Sequence, residues 1–134
     1  MITQGVYLLD TDTCIALLKK NPDVTNRLRE VGAHNCKVSD ITLAELYFGA
    51  YKSGKRKHFS DVTQIMNLMG QYPINSLKKY GEIRWQLESK GTKIGDMDLF
   101  IAATALENNL IVVTGNTDHF KRVSGLKVEN WMVR

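Results

Sequence analysis

Residues 110–114 constrain the fold more than any other stretch of the chain. Their sequence, LIVVT, is a short apolar run typical of a buried strand. A strand that is apolar on both faces indicates a parallel sheet covered by helices on both sides. Four more stretches have strand-like composition, at residues 6–9, 36–39, 72–74 and 126–128. The stretch 72–74 contains a proline, which favours an edge position.

Apolar residues recur at helical spacing between these strands. The spacing predicts helices at residues 14–20, 22–32, 41–51, 59–69, 77–90 and 96–108. The segment 96–108 is apolar nearly all round, so we expect it at the centre of the fold. Thr42 and Glu45 have the spacing of a capping box. Alternating strands and helices predict an α/β fold with a central, mainly parallel sheet of four or five strands flanked by helices.

Composition narrows the class of protein further. The chain has 134 residues, 43% of them hydrophobic, with only 2 prolines, so we expect one folded domain over residues 1–134 and not a disordered chain. The sequence contains no apolar run of membrane-spanning length and no signal peptide, which predicts a cytoplasmic protein that does not enter a membrane. Cys14 and Cys36 are then expected to be buried thiols. The net charge of +4 permits a polyanionic partner without requiring one.

Four acidic residues fall where the predicted strands end or the following helices begin. They are Asp10, Glu45, Asp98 and Asp118. Ligands of parallel sheets bind beyond the carboxyl ends of the strands, so these side chains are expected to meet at one edge. Clustered carboxylates repel one another unless a cation lies among them, and their oxygens suit Mg²⁺ or Mn²⁺. Such a centre is typical of phosphodiester hydrolysis.

Each acid also has a structural interpretation. Asp10 can be a helix N-cap, Glu45 can be the capping-box partner of Thr42, and Asp118 can cap a short turn. Asp96 and Asp98 both suit the positive end of a helix, but two residues at this spacing cannot both face one site. Asp12 is expected to cap the first helix or to support the ligands. The three histidines, His34, His58 and His119, are isolated in the sequence and are expected on the surface.

Four motifs, taken in order, resemble the PIN-domain ribonucleases, and more narrowly the VapC-type toxins of type II toxin–antitoxin modules. They are LLDTDTCIALL, ITLAELYFGAYKS, KIGDMDLFIAATAL and VVTGNTDHFKRVSGLKVENW, which together extend over residues 7–131. The resemblance implies a PIN-like fold and a Mg²⁺-dependent endoribonuclease with RNA as its substrate. It also implies a cognate antitoxin that holds the enzyme inactive, and a homodimer.

The resemblance assigns roles to particular residues. The acids of the family motifs fall on Asp10, Glu45 and Asp98, and a polar turn falls on Thr114 and Asn116. The sequence departs from the family pattern at Asp12, where asparagine is usual, at Asn116, where the wider family often has a fourth acid, and at His119, where many of these toxins have an acid. Asp118 precedes that last position by one residue. We therefore expect Asp10, Asp98 and Glu45 to hold the metal, with a secondary role for Asp118 and supporting roles for Asp12, Thr114, Asn116 and Asp96.

Two other functions remain compatible with parts of the sequence. Asp10 and Asp12 follow an apolar strand as the nucleophile and general acid of a haloacid-dehalogenase-like phosphatase do, although the later motifs of that class are missing. A non-catalytic RNA-binding PIN domain would use the basic stretch 52–58 to bind phosphates. For a toxin, the apolar side chains predicted to form a docking groove for an antitoxin helix are Ile15, Leu18, Leu46, Tyr47 and Ala50.

Overall fold

The computed structural model describes residues 5–132, and its fold is built on a single parallel sheet. The strands are β1 (Tyr7–Leu9), β2 (Cys36–Ser39), β3 (Gly70–Tyr72), β4 (Ile111–Val113) and β5 (Lys127–Glu129). Their spatial order is β3-β2-β1-β4-β5, and each neighbouring pair is parallel. The predicted α/β class and the predicted number of strands are confirmed.

Helices connect the strands and cover both faces of the sheet. They are α1 (Thr11–Leu18), α2 (Pro22–Val31), α3 (Asp40–Ser53), α4 (Arg56–Leu68), α5 (Leu77–Ser89), α6 (Asp96–Glu107) and the single turn α7 (Thr117–Phe120), with a 3-10 turn at Ala33–Asn35. All six helices predicted from apolar spacing are present, with ends that differ by a few residues. None of the helices in residues 5–132 is both long and apolar enough to cross a membrane.

Two predicted boundaries were wrong: the start of helix α3 and the position of strand β3. Helix α3 is capped by Ser39, whose side chain accepts a hydrogen bond from the backbone nitrogen of Thr42 at 3.1 Å, so Thr42 and Glu45 do not form a capping box. Strand β3 lies two residues earlier than the predicted stretch 72–74. It ends just before Pro73, which has no N–H group to donate to a neighbouring strand.

Alternate residues of the strands pack into two separate apolar cores. In β1, Tyr7 and Leu9 face the core formed with α1 to α4, whereas Leu8 faces the core formed with α5 and α6. Cys14 and Cys36 lie buried in the first core as free thiols, as predicted. Because both faces of the central strands β1, β2 and β4 are covered, these strands are mostly buried, and polar side chains collect at their carboxyl ends.

Helix α6 lies at the centre of the second core, as its sequence predicts. It packs against α5 and β4, and most of its side chains between Leu99 and Ala105 are buried. Thr104 is fully buried in this helix, and its hydroxyl is the one buried side-chain polar atom of the described residues without a hydrogen-bond partner. A hydroxyl buried in this way reduces stability because its bonds to water are lost without replacement.

Replacing Thr104 by valine should therefore stabilise the protein. Thr104→Val removes the unsatisfied hydroxyl at nearly constant volume, and we expect a gain of about 1 kcal/mol in the free energy of unfolding, measured by urea denaturation. Thr13→Val is the matched control, because the equally buried Thr13 hydroxyl donates to the Val113 carbonyl at 3.1 Å. The control should lose stability, and a loss in both variants would contradict this explanation.

Candidate active site

The candidate site lies at the point where the order of the strands reverses. The chain runs from β1 outward to β2 and β3, and then returns to place β4 on the other side of β1. The carboxyl ends of β1 and β4 therefore border the crevice in which parallel sheets bind their ligands. The backbone nitrogen of Asp10 donates to the carbonyl of Val113 at 2.8 Å, which holds the two strand ends together.

Asp10 is the most buried carboxylate at this edge. It follows β1 directly, is only 8% exposed, and caps helix α1 by accepting a hydrogen bond from the Thr11 backbone nitrogen at 2.8 Å. Its other oxygen accepts from the hydroxyl of Thr114 at 3.1 Å. Burial, together with the negative charges of Asp12 and Asp98, raises the pKa of Asp10 from 3.8 to about 6, although the hydrogen bonds from Thr11 and Thr114 act to lower it.

Asp98 brings a second carboxylate to the same edge from the first turn of α6. Its negative charge raises the pKa of Asp10, and its side chain is 27% exposed, so it remains open to solvent. The Nδ1 atom of His119 lies 3.3 Å from the Asp98 Oδ2 atom. His119 comes from α7, where the side-chain nitrogen of Asn116 lies 2.8 Å from the same ring atom.

Glu45 reaches the site region from α3. Its Oε1 atom accepts a hydrogen bond from the Thr11 hydroxyl at 2.5 Å, and Thr11 is the residue directly after Asp10. Because Ser39, and not Thr42, caps α3, the carboxylate of Glu45 is not used in a capping box. It is therefore available to accept the hydrogen bond from Thr11 on α1. The three acids that the family motifs single out are thus connected to one strand end, Asp10 and Asp98 through their charges and Glu45 through Thr11.

Two further polar residues fix the loop that follows β4. Asp12 accepts a hydrogen bond from the backbone nitrogen of Gly115 at 2.9 Å, and a Cβ at Gly115 would come within 2.7 Å of this carboxylate. The Thr114 hydroxyl accepts from the Asn116 backbone nitrogen at 3.0 Å while it donates to Asp10. These contacts hold the loop against α1 and determine where α7 begins.

Asp96 and Asp118 lie outside this group of contacts. Asp96 is exposed and turns toward α5, where it accepts from the Tyr80 hydroxyl at 3.1 Å. Asp118 has an exposed side chain on α7, while Phe120 is fully buried and anchors this turn. The side chain that α7 brings to Asp98 is therefore His119, which the sequence predicts to be an isolated surface residue. Its spacing of three from Asn116 in a helical turn is the signal that could have revealed it.

The donor atoms suit a hard divalent ion, although they do not form a ready-made cage. In residues 5–132, no three His, Cys, Asp or Glu side chains are grouped so that they could hold a metal ion. Mg²⁺ requires less than that, because it commonly binds one or two carboxylates and keeps several waters or substrate phosphates. The buried charge of Asp10 beside Asp98 is a feature that such an ion would neutralise, so the residues present fit it.

Comparisons with known proteins agree with this architecture. The PIN-domain family matches residues 7–126. Ribonuclease VapC2 from Rickettsia felis is 38% identical over 131 residues, which cover 94% of this chain and 98% of that protein. The tRNA(fMet)-specific endonuclease VapC from Salmonella typhimurium is 33% identical over 128 residues, which cover 93% and 97% of the two chains.

Solved structures give the same result. The fold superposes with a TM-score of 0.85 on the VapBC2 structure from Rickettsia felis bound to a fragment of promoter DNA, at 37% identity and with 93% and 98% of the two chains covered. DNA-bound VapBC from Salmonella typhimurium gives a TM-score of 0.87 at 31% identity, with 96% and 99% covered. The chain therefore belongs to the PIN-domain family and, within it, to the VapC ribonuclease toxins.

This membership confirms the resemblance inferred from the four motifs and decides between the alternatives. The protein is a nuclease of the endoribonuclease class, which favours catalysis over a purely RNA-binding role. The phosphatase alternative was wrong. The chain matches the PIN-domain family over residues 7–126, and its relatives are ribonucleases.

The burial of Asp10 predicts a measurable dependence of stability on pH. The pKa of Asp10 is raised on folding, so the folded state holds its proton more tightly, and ionisation costs stability as pH rises from about 4 to about 6. Without divalent ions, Asp10→Asn should therefore raise the free energy of unfolding by up to about 3 kcal/mol near neutral pH and by almost nothing near pH 4. Urea denaturation at the two pH values measures this difference.

Asp118→Asn is the matched control for this measurement. It removes the same charge from an exposed position near the same edge, so stability should stay close to wild type at both pH values. A stabilisation of Asp10→Asn that is equally large near pH 4 would contradict the assignment of the effect to the buried carboxylate.

Proposed function

We propose that this protein is a Mg²⁺-dependent endoribonuclease, able to use Mn²⁺, that acts as the toxin of a type II toxin–antitoxin module. The main support for metal dependence is the buried carboxylate of Asp10, which lies where the strand order of the sheet reverses. The negative charge of the nearby Asp98 acts on this carboxylate and raises its pKa. A site of this kind attracts a divalent cation because water cannot neutralise the buried charge. RNA is the substrate class, and the name of the Salmonella relative makes tRNA(fMet) the first RNA to test.

In this proposal, Asp10 and Asp98 would hold the ion, and Glu45 would either bind beside them or orient a water molecule for attack. The chemistry that a bound Mg²⁺ supplies is the activation of water and the neutralisation of charge on the phosphodiester. Thr114 donates to Asp10 and so keeps one carboxylate oxygen in place, and Thr11 does the same for Glu45. The supporting residues Asp12 and Asn116 fix the loop beside them, whereas Asp96 contacts Tyr80 on α5 and Asp118 is exposed on α7.

Measurements of RNA cleavage should distinguish the acids assigned to the ion from the exposed acids Asp96 and Asp118. Asp98→Asn should slow metal-dependent cleavage at least about 100-fold, because it removes one of the two carboxylates assigned to the ion. Asp118→Asn should stay within about threefold of wild type, because an exposed charge is screened by water and salt. The measurement is the initial rate of cleavage of purified tRNA at increasing Mg²⁺ or Mn²⁺ concentration, with mapping of the cut ends.

Two results would contradict this assignment. Full cleavage by the wild-type protein in excess EDTA would show that no divalent ion is needed. Equal losses in Asp98→Asn and Asp118→Asn would make Asp118 a ligand of the same rank as Asp98. The melting temperature of each variant must be measured beside its rate, so that unfolding is not mistaken for loss of chemistry.

The partner of the toxin is proposed to be a cognate antitoxin that docks next to the acids. A groove of about 290 Å³ between α1, α3 and α4 is lined by Ile15, Leu18, Leu46 and Ala50, four of the five side chains expected there. Glu45 lies in the same lining, so the groove reaches the candidate active site. Tyr47 instead lies exposed beside Met66, outside this lining.

An apolar helix seated in this groove would place its flanking side chains close to the carboxylates. A lysine or arginine of the antitoxin could then reach the acids and compete with the ion for their charge. The relatives in Rickettsia felis and Salmonella typhimurium were solved as VapBC assemblies on DNA, which supports a protein partner for this chain. A homodimer and a cytoplasmic location remain part of the same proposal.

The groove can be tested by separating toxicity from neutralisation. Ile15 is 39% exposed, so Ile15→Ser removes apolar contact area without disturbing a core. We expect expression of the variant to remain toxic, and its affinity for the antitoxin encoded by the neighbouring small reading frame to fall about tenfold. Leu77→Ser, at an exposed apolar position on α5, should leave this affinity unchanged.

The outcome is read from growth with and without the antitoxin, together with an affinity measurement on the purified proteins. If the wild-type protein is harmless under strong induction without the antitoxin, the toxin assignment fails. If both serine variants bind the antitoxin like wild type, the antitoxin docks elsewhere.

A further inference from the structure

The outer side of helix α3 has two exposed aromatic rings next to a run of basic residues. Phe48 is 68% exposed and Tyr51 is 75% exposed. Lys52 lies in the last turn of α3, Lys55 in the turn that follows and Arg56 at the start of α4, and all three are exposed. Neighbouring exposed rings mark a site of interaction more clearly than scattered single apolar residues do. These five residues are called the aromatic–basic surface.

The basic residues of this surface have no acidic partner within residues 5–132. None of the ion pairs there involves one of the three, whereas the next basic residue, Lys57, pairs with Asp61 at 3.5 Å. Their charge is therefore available to a polyanion. Cationic side chains that follow a phosphate backbone, together with aromatic faces on which bases stack, are the two features of surfaces that bind single-stranded nucleic acid.

The aromatic–basic surface begins next to the candidate active site. Glu45, Phe48 and Lys52 are three and four residues apart on α3, a spacing that makes their side chains neighbours on one face of the helix. At a rise of about 1.5 Å per residue, Phe48 lies about 4.5 Å and Lys52 about 10 Å beyond Glu45 along the helix axis. Tyr51 follows Phe48 by three residues, so the two rings are also neighbours. An RNA strand held at the acids would therefore reach both rings within a few nucleotides.

The rings and the basic turn are held in place before any partner binds. The ring of Tyr51 meets Phe59 of α4 in a T-shaped contact, with centroids 4.9 Å apart and an angle of 89° between the planes. Gly54 ends α3 with a φ of 68°, and the Ser53 hydroxyl accepts a hydrogen bond from the Lys55 backbone nitrogen at 3.1 Å. A surface that is already ordered loses less conformational entropy on binding.

The chemistry of this surface differs from that of the groove assigned to the antitoxin. The groove is concave, and its apolar lining is aliphatic, including Ile15, Leu18 and Leu46, which suits an apolar helix. Phe48 and Tyr51 lie outside that lining. Aliphatic side chains offer a base no flat ring, whereas these two aromatic side chains do, and the cations beside them favour a polyanion over an apolar helix.

We propose that the aromatic–basic surface binds unpaired nucleotides of the RNA substrate, with Phe48 and Tyr51 stacking on bases and Lys52 binding a phosphate beside Glu45. The inference rests on the proposed ribonuclease function and names the part of the substrate that the site recognises, a single-stranded loop or end. Bases within a duplex are already stacked on one another and offer no free face to these rings. The surface thereby selects unpaired RNA and determines how the strand lies across the acids.

The probe is a stem-loop RNA with the fluorescent base 2-aminopurine in its loop, titrated in EDTA so that no metal-dependent cleavage occurs. Wild-type protein should quench this base and bind the stem-loop at least about tenfold more tightly than a fully paired duplex of matched length. Phe48→Leu should lose most of the quenching and about tenfold in affinity, with an unchanged dependence on salt. Phe48→Trp keeps a flat ring and should bind like wild type.

Lys52→Gln tests the phosphate contact separately. It should keep the quenching but make the slope of log affinity against log salt shallower by about 0.7, the value for one phosphate contact to a single strand. Lys90→Gln is the matched control, because Lys90 is an exposed lysine at the end of α5, which packs on the other face of the sheet. This control should change neither the affinity nor the slope.

The outcomes distinguish this inference from the proposed function. If Phe48→Leu and Lys52→Gln bind the stem-loop like wild type, or if wild-type protein does not prefer the stem-loop to the duplex, the inference alone is overturned. If the two variants keep RNA binding but lose affinity for the antitoxin, the surface is a protein-binding site and the inference is also overturned. If they weaken RNA binding as expected but no divalent ion supports cleavage by wild-type protein, the inference is supported and the proposed metal-dependent function fails.

Discussion

Asp10 is an ionisable side chain in a place where few such side chains are tolerated, 8% exposed at the end of the middle strand of the sheet. Burial and the charges of Asp12 and Asp98 raise its pKa to about 6, so at neutral pH the folded chain carries an unfavourable buried charge. Stability alone would favour a neutral side chain at this position. A carboxylate is useful there only if something in the functional cycle of the protein, such as a cation, relieves the charge.

The topology of the sheet determines which segments can meet at that point. Because β1 lies between β2 and β4, the loops that follow these strands converge on the same edge. Hydrogen bonds then fix the convergence: Thr114 donates to Asp10, Thr11 donates to Glu45, and Asp12 accepts from Gly115. The two apolar cores pack the strands and α6 behind these contacts, so packing and hydrogen bonds together position the polar groups.

Periodicity in the sequence was sufficient to predict the α/β class, the buried helix α6 and the position of Asp10 at a strand end, because these follow from local apolar patterns. It was not sufficient where a choice depended on tertiary contacts. Ser39 and Thr42 are both good capping residues, and only the pairing of β2 determines where α3 begins. His119 appeared isolated because its contact with Asp98 joins segments 21 residues apart. That contact exists only once Phe120 has anchored α7 in the core.

We propose that the crowded carboxylates at this edge require a divalent cation. The most direct test is the shift in melting temperature that saturating Mn²⁺ or Mg²⁺ produces in wild-type protein and in Asp10→Asn at neutral pH. Binding to the folded state alone raises the melting temperature, and relief of the buried charge should make the shift large in wild-type protein. We predict a clear upward shift for wild type and little or none for Asp10→Asn, and equal shifts in the two proteins would contradict the requirement for a divalent cation at Asp10.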